Sequence, residues 1–212
     1  MWKNHIIRLY VDNMKYEVLH HASIKFTGDK IIYFDPYKIE KETHDADYIF
    51  ITHDHYDHYD KESIEKIRKD STKIVLPECL KDEDNYLVVA PDREYVIDDI
   101  TFNTVSSYNT NKSFHPKDKK YVGYNILLDG KRYYIMGDTD RTDESDKIET
   151  DVCFVPIGGT YTMNVNEASL YINDSKPQKA IPIHYGLIVG DKSLSNIFRE
   201  QVNEEIDVEI FI

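Results

Sequence analysis

Cysteine, tryptophan, basic residues and long apolar runs are all scarce in this chain. Its 2 cysteines, Cys79 and Cys153, are isolated and have no metal-ligand spacing. A thiolate metal site is therefore not expected, and both read as buried reduced thiols. No apolar run approaches the roughly 18 residues of a membrane span. Lys3, His5 and Arg8 interrupt the apolar positions of Met1 to Val11, so the first residues do not make a signal peptide. These absences point to a cytoplasmic protein with no membrane partner. Against 39 Asp and Glu stand only 26 Lys and Arg, for a formal net charge of -13. A nucleic-acid partner is not expected, since phosphate backbones need compensating cations. No repeat or low-complexity linker divides the sequence, so residues 1–212 read as a single domain.

What is abundant is short strand signals. Ile6 to Val11, Tyr16 to Leu19, Ser23 to Phe26 and Ile31 to Phe34 read as strands, the last two as a hairpin turning at Thr27 to Lys30. Tyr48 to Ile51 is a buried strand, Lys61 to Lys69 a helix and Thr72 to Leu76 a strand. Asp82 to Asn85 reads as an acidic turn, followed by strands at Tyr86 to Val89, Glu94 to Ile97 and Thr101 to Val105. Ser106 to Tyr121 is a long polar loop, the kind that is functional or mobile in a compact domain. Val122 to Leu128 and Arg132 to Met136 form a hairpin across Asp129-Gly130, and Val152 to Pro156 is a further strand. Asn164 and Glu167 make a capping box for a helix burying Val165, Ala168 and Ile172. Ala180 to Ile183 is a strand. Ser193 caps a last helix with Leu194, Ile197 and Phe198 on its buried face, and Val208 to Ile212 closes as a strand. Strands first, then strands alternating with helices, suit two packed sheets with helices outside, an α/β class.

The chemistry concentrates in Thr52-His53-Asp54-His55-Tyr56-Asp57-His58. The chain has only 9 His in 212 residues, yet three fall within six positions here. The stretch follows a strand and precedes a helix, so it lies on a loop where side chains can converge. A regular helix or strand would point them apart. Imidazole and carboxylate together are ligands for Zn, Fe and Mn. Two more candidates end strands in the same way: Asp138 in Gly137-Asp138-Thr139-Asp140, and His184 in Pro182-Ile183-His184-Tyr185-Gly186.

His-x-His-x-Asp-His after an apolar strand, a later Gly-Asp-Thr-Asp and a late lone His resemble the metallo-β-lactamase fold superfamily. His21-Ala22-Ser23, Asp35-Pro36-Tyr37, Gly158 to Met163 and Ile183 to Gly186 are similar to the branch of ascorbate-6-phosphate lactonase-like proteins and metal-dependent hydrolases. The resemblance runs from about His21 to Gly190. It implies a four-layer αβ/βα sandwich with two divalent metals, Zn by default and Mn or Fe as alternatives. It places His53 and His55 on the first metal, Asp57, His58 and His184 on the second, and Asp138 between them. One histidine of the usual set is missing, because Tyr108-Asn109 stands where it is expected. His115 is the preferred replacement; the Asn109 amide oxygen or a water are alternatives.

The implied reaction is hydrolysis of a small, anionic ester, lactone or phosphodiester by metal-activated hydroxide. Asp57 and His184 are the catalytic candidates. Asp57 would orient the hydroxide as well as bind metal. His184 is engaged as a ligand, so a metal-bound water is the proton donor to the leaving group. Asn109, Tyr161 and Tyr185 are candidate substrate contacts, with packing competing for both tyrosines. His21 is either a partner that orients a ligand or a surface histidine beside His20. Lys112, Lys117, Lys119 and Lys120 surround His115 and would receive an anionic substrate, under a loop that could act as a lid. Rival functions are an iron-containing redox protein of the same fold, an RNA nuclease and a non-catalytic metal-binding relative. His55 stands where flavodiiron relatives carry Glu, which favours hydrolysis over redox chemistry.

Overall fold

The structure is a computed structural model that describes residues 14–80 and 86–212. The strand expected at Ile6 to Val11 and the acidic turn at Asp82 to Asn85 both lie outside the described residues.

The first sheet contains β1 (Lys15–His20), β2 (Ser23–Thr27), β3 (Ile31–Phe34), β4 (Ala46–Phe50), β5 (Arg68–Pro77) and β6 (Tyr86–Val89), in that spatial order. The second contains β7 (Glu94–Ile97), β8 (Ile100–Ser106), β9 (Val122–Leu128), β10 (Lys131–Ile135), β11 (Val152–Pro156), β12 (Lys179–Ile183) and β13 (Asp207–Val208), also in order. Each sheet begins as an antiparallel meander and ends in parallel pairs, from β3 onward in the first and from β10 onward in the second. Parallel pairs need crossovers, and these carry α1 (Lys61–Ile67), α2 (Val165–Ser175) and α3 (Leu194–Gln201).

The period-2 alternation of strand side chains sorts the core into three layers. Ile32 and Phe34 of β3, Tyr48 and Phe50 of β4, Tyr133 and Ile135 of β10 and Phe154 of β11 share the core between the sheets. Their neighbours Tyr33 and Ile49 face outward with Ile64 and Ile67 of α1. Tyr134, Cys153 and Val155 face outward with Ala168, Ile172 and Phe198 of α2 and α3. The central strands read as near-continuous apolar runs because both faces are covered. The result is the four-layer αβ/βα sandwich. Between the sheets Phe50 stacks on Phe34 at 4.9 Å and meets Phe102 edge-on at 5.2 Å. Such aromatic pairs add roughly 0.5–1.5 kcal/mol beyond their burial. The Tyr124 hydroxyl donates to the Ile51 carbonyl at 2.7 Å, and the Val122 N–H donates to Thr52 at 3.1 Å. The second sheet thus fixes the end of β4, where the histidine loop starts.

Several local expectations need correction. α1 ends at Ile67, because Arg68 is already extended and pairs with Ala46, opening β5. The charged run Arg68 to Asp70 hides that strand from a hydrophobicity argument. Ser193 does not cap α3: it has helical backbone angles and makes no side-chain cap bond. Phe198 is buried on α3, but Ile197 is 41% exposed, one residue round the helix from the contact with α2. The closing strand is only Asp207–Val208; after Glu209, which donates to Ala180, the chain leaves the sheet. The capping box of α2 forms as expected, with Glu167 N–H donating to Asn164 at 3.0 Å and Asn164 N–H to Glu167 at 2.8 Å. Cys153 is buried, Cys79 half-buried, and both are free thiols. Among the described residues no helix is long and apolar enough to cross a membrane.

Candidate metal centre

Five chain segments meet at one edge of the sandwich. The loop after β4 brings His53, His55, Asp57 and His58. The turn between β1 and β2 brings His21, the loop after β8 brings His115, and the ends of β10 and β12 bring Asp138 and His184. His21, Asp35, His115 and His184 all have left-handed backbone, with φ of 53°, 45°, 53° and 58°. That region is uncommon for residues carrying a Cβ, and such outliers gather at functional sites. Gly158 permits a close approach: a Cβ there would stand 2.3 Å from the His184 carbonyl oxygen.

The ligand-type atoms divide into two groups. His53, His55, His115 and Asp138 form one, and His21, Asp57, His58 and His184 the other; within each, the atoms lie inside 4.8 Å of one another. In the first, His115 Nε2 is 3.1 Å from His55 Nδ1 and 3.3 Å from Asp138 Oδ2. Asp138 also reaches the second group, with Oδ2 2.9 Å from His184 Nε2 and Oδ1 3.3 Å from His58 Nε2. Donors held at about 2.0–2.2 Å from one ion stand roughly 3–3.5 Å apart, and several of these separations match. Nε2 of His53, His58 and His184 has no hydrogen-bond partner although buried, and neither does Asp138 Oδ1. Buried polar atoms are normally satisfied, so this donor set fits metal ions.

The opposite ring nitrogens of His58, His53 and His115 are held by protein, while His184 Nδ1 has no hydrogen-bond partner. His58 Nδ1 donates to Asp35 Oδ2 at 2.7 Å, and Asp35 also accepts from the Thr52 N–H at 2.8 Å and hydroxyl at 2.7 Å. Thr52 Oγ1 lies 2.9 Å from His53 Nδ1, and His115 Nδ1 donates to the Tyr161 carbonyl at 3.1 Å. Such partners fix tautomer and ring orientation. Asp35 and Thr52 therefore serve the centre. The Asp35-Pro36-Tyr37 motif is the sequence signal for Asp35, and Thr52 opens the histidine stretch; neither reveals this orienting role.

Burial opposes ionisation of Asp138, yet His184 and His58 outweigh it and hold its carboxyl well below the usual range. For Asp57 burial is likewise overcome, by His21 and His58, and its value is lowered. Burial pushes His53 well below the imidazole range, lowers His115, and takes His21 down to about 4. His58 goes the other way. Burial opposes its charge, but Asp138 and Asp35 raise it well above the ordinary value.

The metal candidates from the sequence, His53, His55, Asp57, His58, Asp138, His184 and His115, are all brought together. Asn109 is placed as a brace. Its Nδ2 donates to the carbonyls of Phe114 at 2.9 Å and Tyr161 at 2.7 Å, and its N–H to the His115 carbonyl at 2.9 Å. Tyr161 lines the cavity above the centre. Tyr185 does not: it is fully buried behind the second sheet and its hydroxyl donates to the Ile212 carbonyl at 2.7 Å. His21 is not a surface histidine, being 1% exposed. The long loop is tied down rather than open, by Asn109 and by the Ser107 N–H donating to Tyr121.

A cavity of about 400 Å³ opens over both groups. Tyr56, Phe114, Tyr161 and Ile188 contribute apolar walls, and Phe114 meets Tyr161 edge-on at 4.6 Å. Among the described residues no Lys or Arg lines it. Lys112 pairs with Asp140, Lys117 with Glu144 and Lys120 with Glu78. The lysines of the loop thus do not form the expected anion receptor over the site. Two larger hollows, one beside Arg68 and one beside Arg199, carry no converging ligand set among the described residues.

Residues 15–184 match the β-lactamase superfamily domain family. A UPF0173 metal-dependent hydrolase of Thermococcus kodakarensis is 30% identical over 193 residues, covering 81% of this chain and 84% of the relative. A solved structure assigned as a metal-dependent hydrolase, from Parabacteroides distasonis, has a TM-score of 0.82 at 28% identity, covering 93% of this chain and 92% of its own. The metallo hydrolase Igni18 of Ignicoccus hospitalis has a TM-score of 0.77 at 21% identity, with 93% and 94% covered, and so shares the fold. The chain belongs to the metallo-β-lactamase superfamily and is one of its metal-dependent hydrolases.

Proposed function

We propose that the chain hydrolyses a small ester or lactone with an apolar non-reacting part, at a centre of two metal ions, zinc by default. The observation that carries this reading is the pair of ligand groups meeting at Asp138, with buried ring nitrogens unpartnered toward each other. His53, His55 and His115 would hold the first ion, Asp57, His58 and His184 the second, and Asp138 both. Histidine nitrogen and carboxylate oxygen suit Zn. When bound, the metals supply a water acidic enough to ionise near neutral pH and a Lewis acid for the scissile carbonyl.

The chain's own residues prepare the rest. Asp35 and Thr52 hold the rings of His58 and His53 in one orientation, and the Tyr161 carbonyl keeps the His115 proton on Nδ1. Asp57, 7% exposed and lining the cavity, is placed to accept a hydrogen bond from the attacking water. His184 faces Asp138 at 2.9 Å and acts as a holder rather than a free acid. The apolar walls exclude water around the substrate's non-reacting part. With no lysine or arginine in those walls among the described residues, an ester or lactone is favoured over a phosphodiester.

The test is hydrolysis of neutral aryl esters, aromatic lactones and a bis-aryl phosphodiester by the zinc-loaded protein and by Asp138→Ala. Ester or lactone turnover that Asp138→Ala abolishes is the expected result. Turnover of the phosphodiester alone, or ester turnover that survives Asp138→Ala, overturns the reading.

A further inference from the structure

His21 is the histidine of the cluster that the reading above leaves without a role. It sits in the turn between β1 and β2, 1% exposed, and neither ring nitrogen has a hydrogen-bond partner. A structural histidine in such a place would be satisfied by protein. His21 Nε2 lies 3.4 Å from Asp57 Oδ2. That is too long for a charge-assisted hydrogen bond, which closes to about 2.7–2.9 Å. It is the separation of two donors on one ion held at about 2.0–2.2 Å. The ring lies 3.9 Å from the His184 ring, centroid to centroid. The turn is shaped to keep it there. The strand register shifts between Val18 and His20, His21 has left-handed backbone, and its carbonyl accepts the His184 N–H at 3.0 Å.

We propose that His21 is a direct donor to the second metal, joining Asp57, His58 and His184, with Asp138 shared. The proposal rests on the two-metal reading and deepens it by making the two sites unequal. With His21 the second has five protein donors, whereas the first has four, His53, His55, His115 and the shared Asp138. The fuller ligand set suits retention, and the smaller one leaves more room for a water. The attacking water is thereby assigned to the first site, under a cavity lined by His55 and His115 of that set and by Asp57 and His184 of the other.

The experiment is a competitive titration of metal-depleted protein with Zn²⁺ against a chromophoric chelator, run on the parent, His21→Ala, His21→Gln and His115→Ala. It is paired with X-ray absorption on parent protein loaded with one equivalent. The parent is expected to bind two ions of unequal affinity, with three imidazoles on the tighter one. His21→Ala and His21→Gln should both weaken the tighter site more than about 100-fold, beyond the 10–100-fold that loss of an outer partner costs. His115→Ala should lose only the weaker ion. Glutamine keeps an N–H for Asp57, so affinity restored by His21→Gln overturns the proposal in favour of a positioning role. Two imidazoles at the tight site overturn it without reference to any variant, including one that fails to fold. A parent that binds only one ion defeats the two-metal reading, and if that ion survives His21→Ala but not His115→Ala the assignment of His21 falls as well.

Discussion

Asp35 holds His58 through a 2.7 Å hydrogen bond to Nδ1, with both side chains sealed from solvent. Because the Thr52 hydroxyl donates to Asp35 and contacts His53 Nδ1, one carboxylate orients a histidine in each ligand group. Asp35→Asn should therefore weaken zinc affinity at both sites by about 10–100-fold. Chelator competition reads the loss, and far-UV circular dichroism checks that the fold persists. Unchanged affinity at both sites would show that the Asp35–His58 bond is only structural.

His115 and Asn109 separate cleanly as ligand and brace. His115→Ala should remove one ion per chain. Asn109→Ala frees the Phe114 and Tyr161 carbonyls and loosens the loop, so it should weaken the same ion without abolishing binding. Elemental analysis after dialysis against a series of chelator concentrations distinguishes the two. Asn109→Ala losing the ion outright while His115→Ala keeps it would reverse the assignment.

The metal-free protein should lose stability in mild acid. Burial holds His21, at about 4, and also His53 and His115 below the ordinary 6.5. As pH falls from 6.5, the unfolded chain takes up protons at these positions that the folded chain does not, and unfolding gains. His21 alone amounts to something on the order of 3 kcal/mol across the window. His58, raised above 6.5, acts in the opposite sense: its contribution is complete below 6.5 and lost as pH rises through its folded value. The lowered Asp138 and Asp57 contribute above 3.8 and lose that contribution only as pH falls further. With three buried histidines lowered against His58 and the exposed His44 raised, the urea midpoint of metal-free protein should fall between pH 7 and pH 4.5. A midpoint that rises over that range would contradict these directions.

The cavity walls, not the loop lysines, should govern substrate affinity. Lys117 and Lys120 are engaged with Glu144 and Glu78 outside the cavity. Their alanine variants should leave kcat/KM for a neutral aryl ester within about twofold. Phe114→Ala and Tyr161→Ala should each raise KM by about tenfold with kcat nearly unchanged, as expected for lost apolar contact made equally in ground and transition states. Steady-state kinetics on the zinc-loaded protein decide between them.

The sandwich was legible because its strands carry their own signals. Ile49 and Phe50 need two covered faces, and the Asp129-Gly130 turn needs a hairpin. The dense cluster from His53 to His58 announced a metal site, and strand-end placement pointed to Asp138 and His184. What escaped was set by tertiary proximity. Asp35 reaches His58 only because β3 and β4 are parallel neighbours. His21 arrives from a turn far away in sequence, and one histidine in a hairpin carries no spacing signal. The loop lysines looked like an anion receptor because their carboxylate partners, Glu78, Asp140 and Glu144, are distant in sequence. Tyr185 neighbours His184 in the chain, yet past the end of β12 its side chain packs into the core under α2 and α3 and its hydroxyl donates to the Ile212 carbonyl.

The most direct measurement is the metal content of protein purified without added metal, by elemental analysis, beside Asp138→Ala and with ester hydrolysis assayed on the same samples. Two divalent ions per chain in the parent, with both ions and hydrolysis lost together in Asp138→Ala, is the predicted result. A parent with fewer than two ions after zinc reconstitution, or an Asp138→Ala protein that keeps two ions and full activity, would contradict the account.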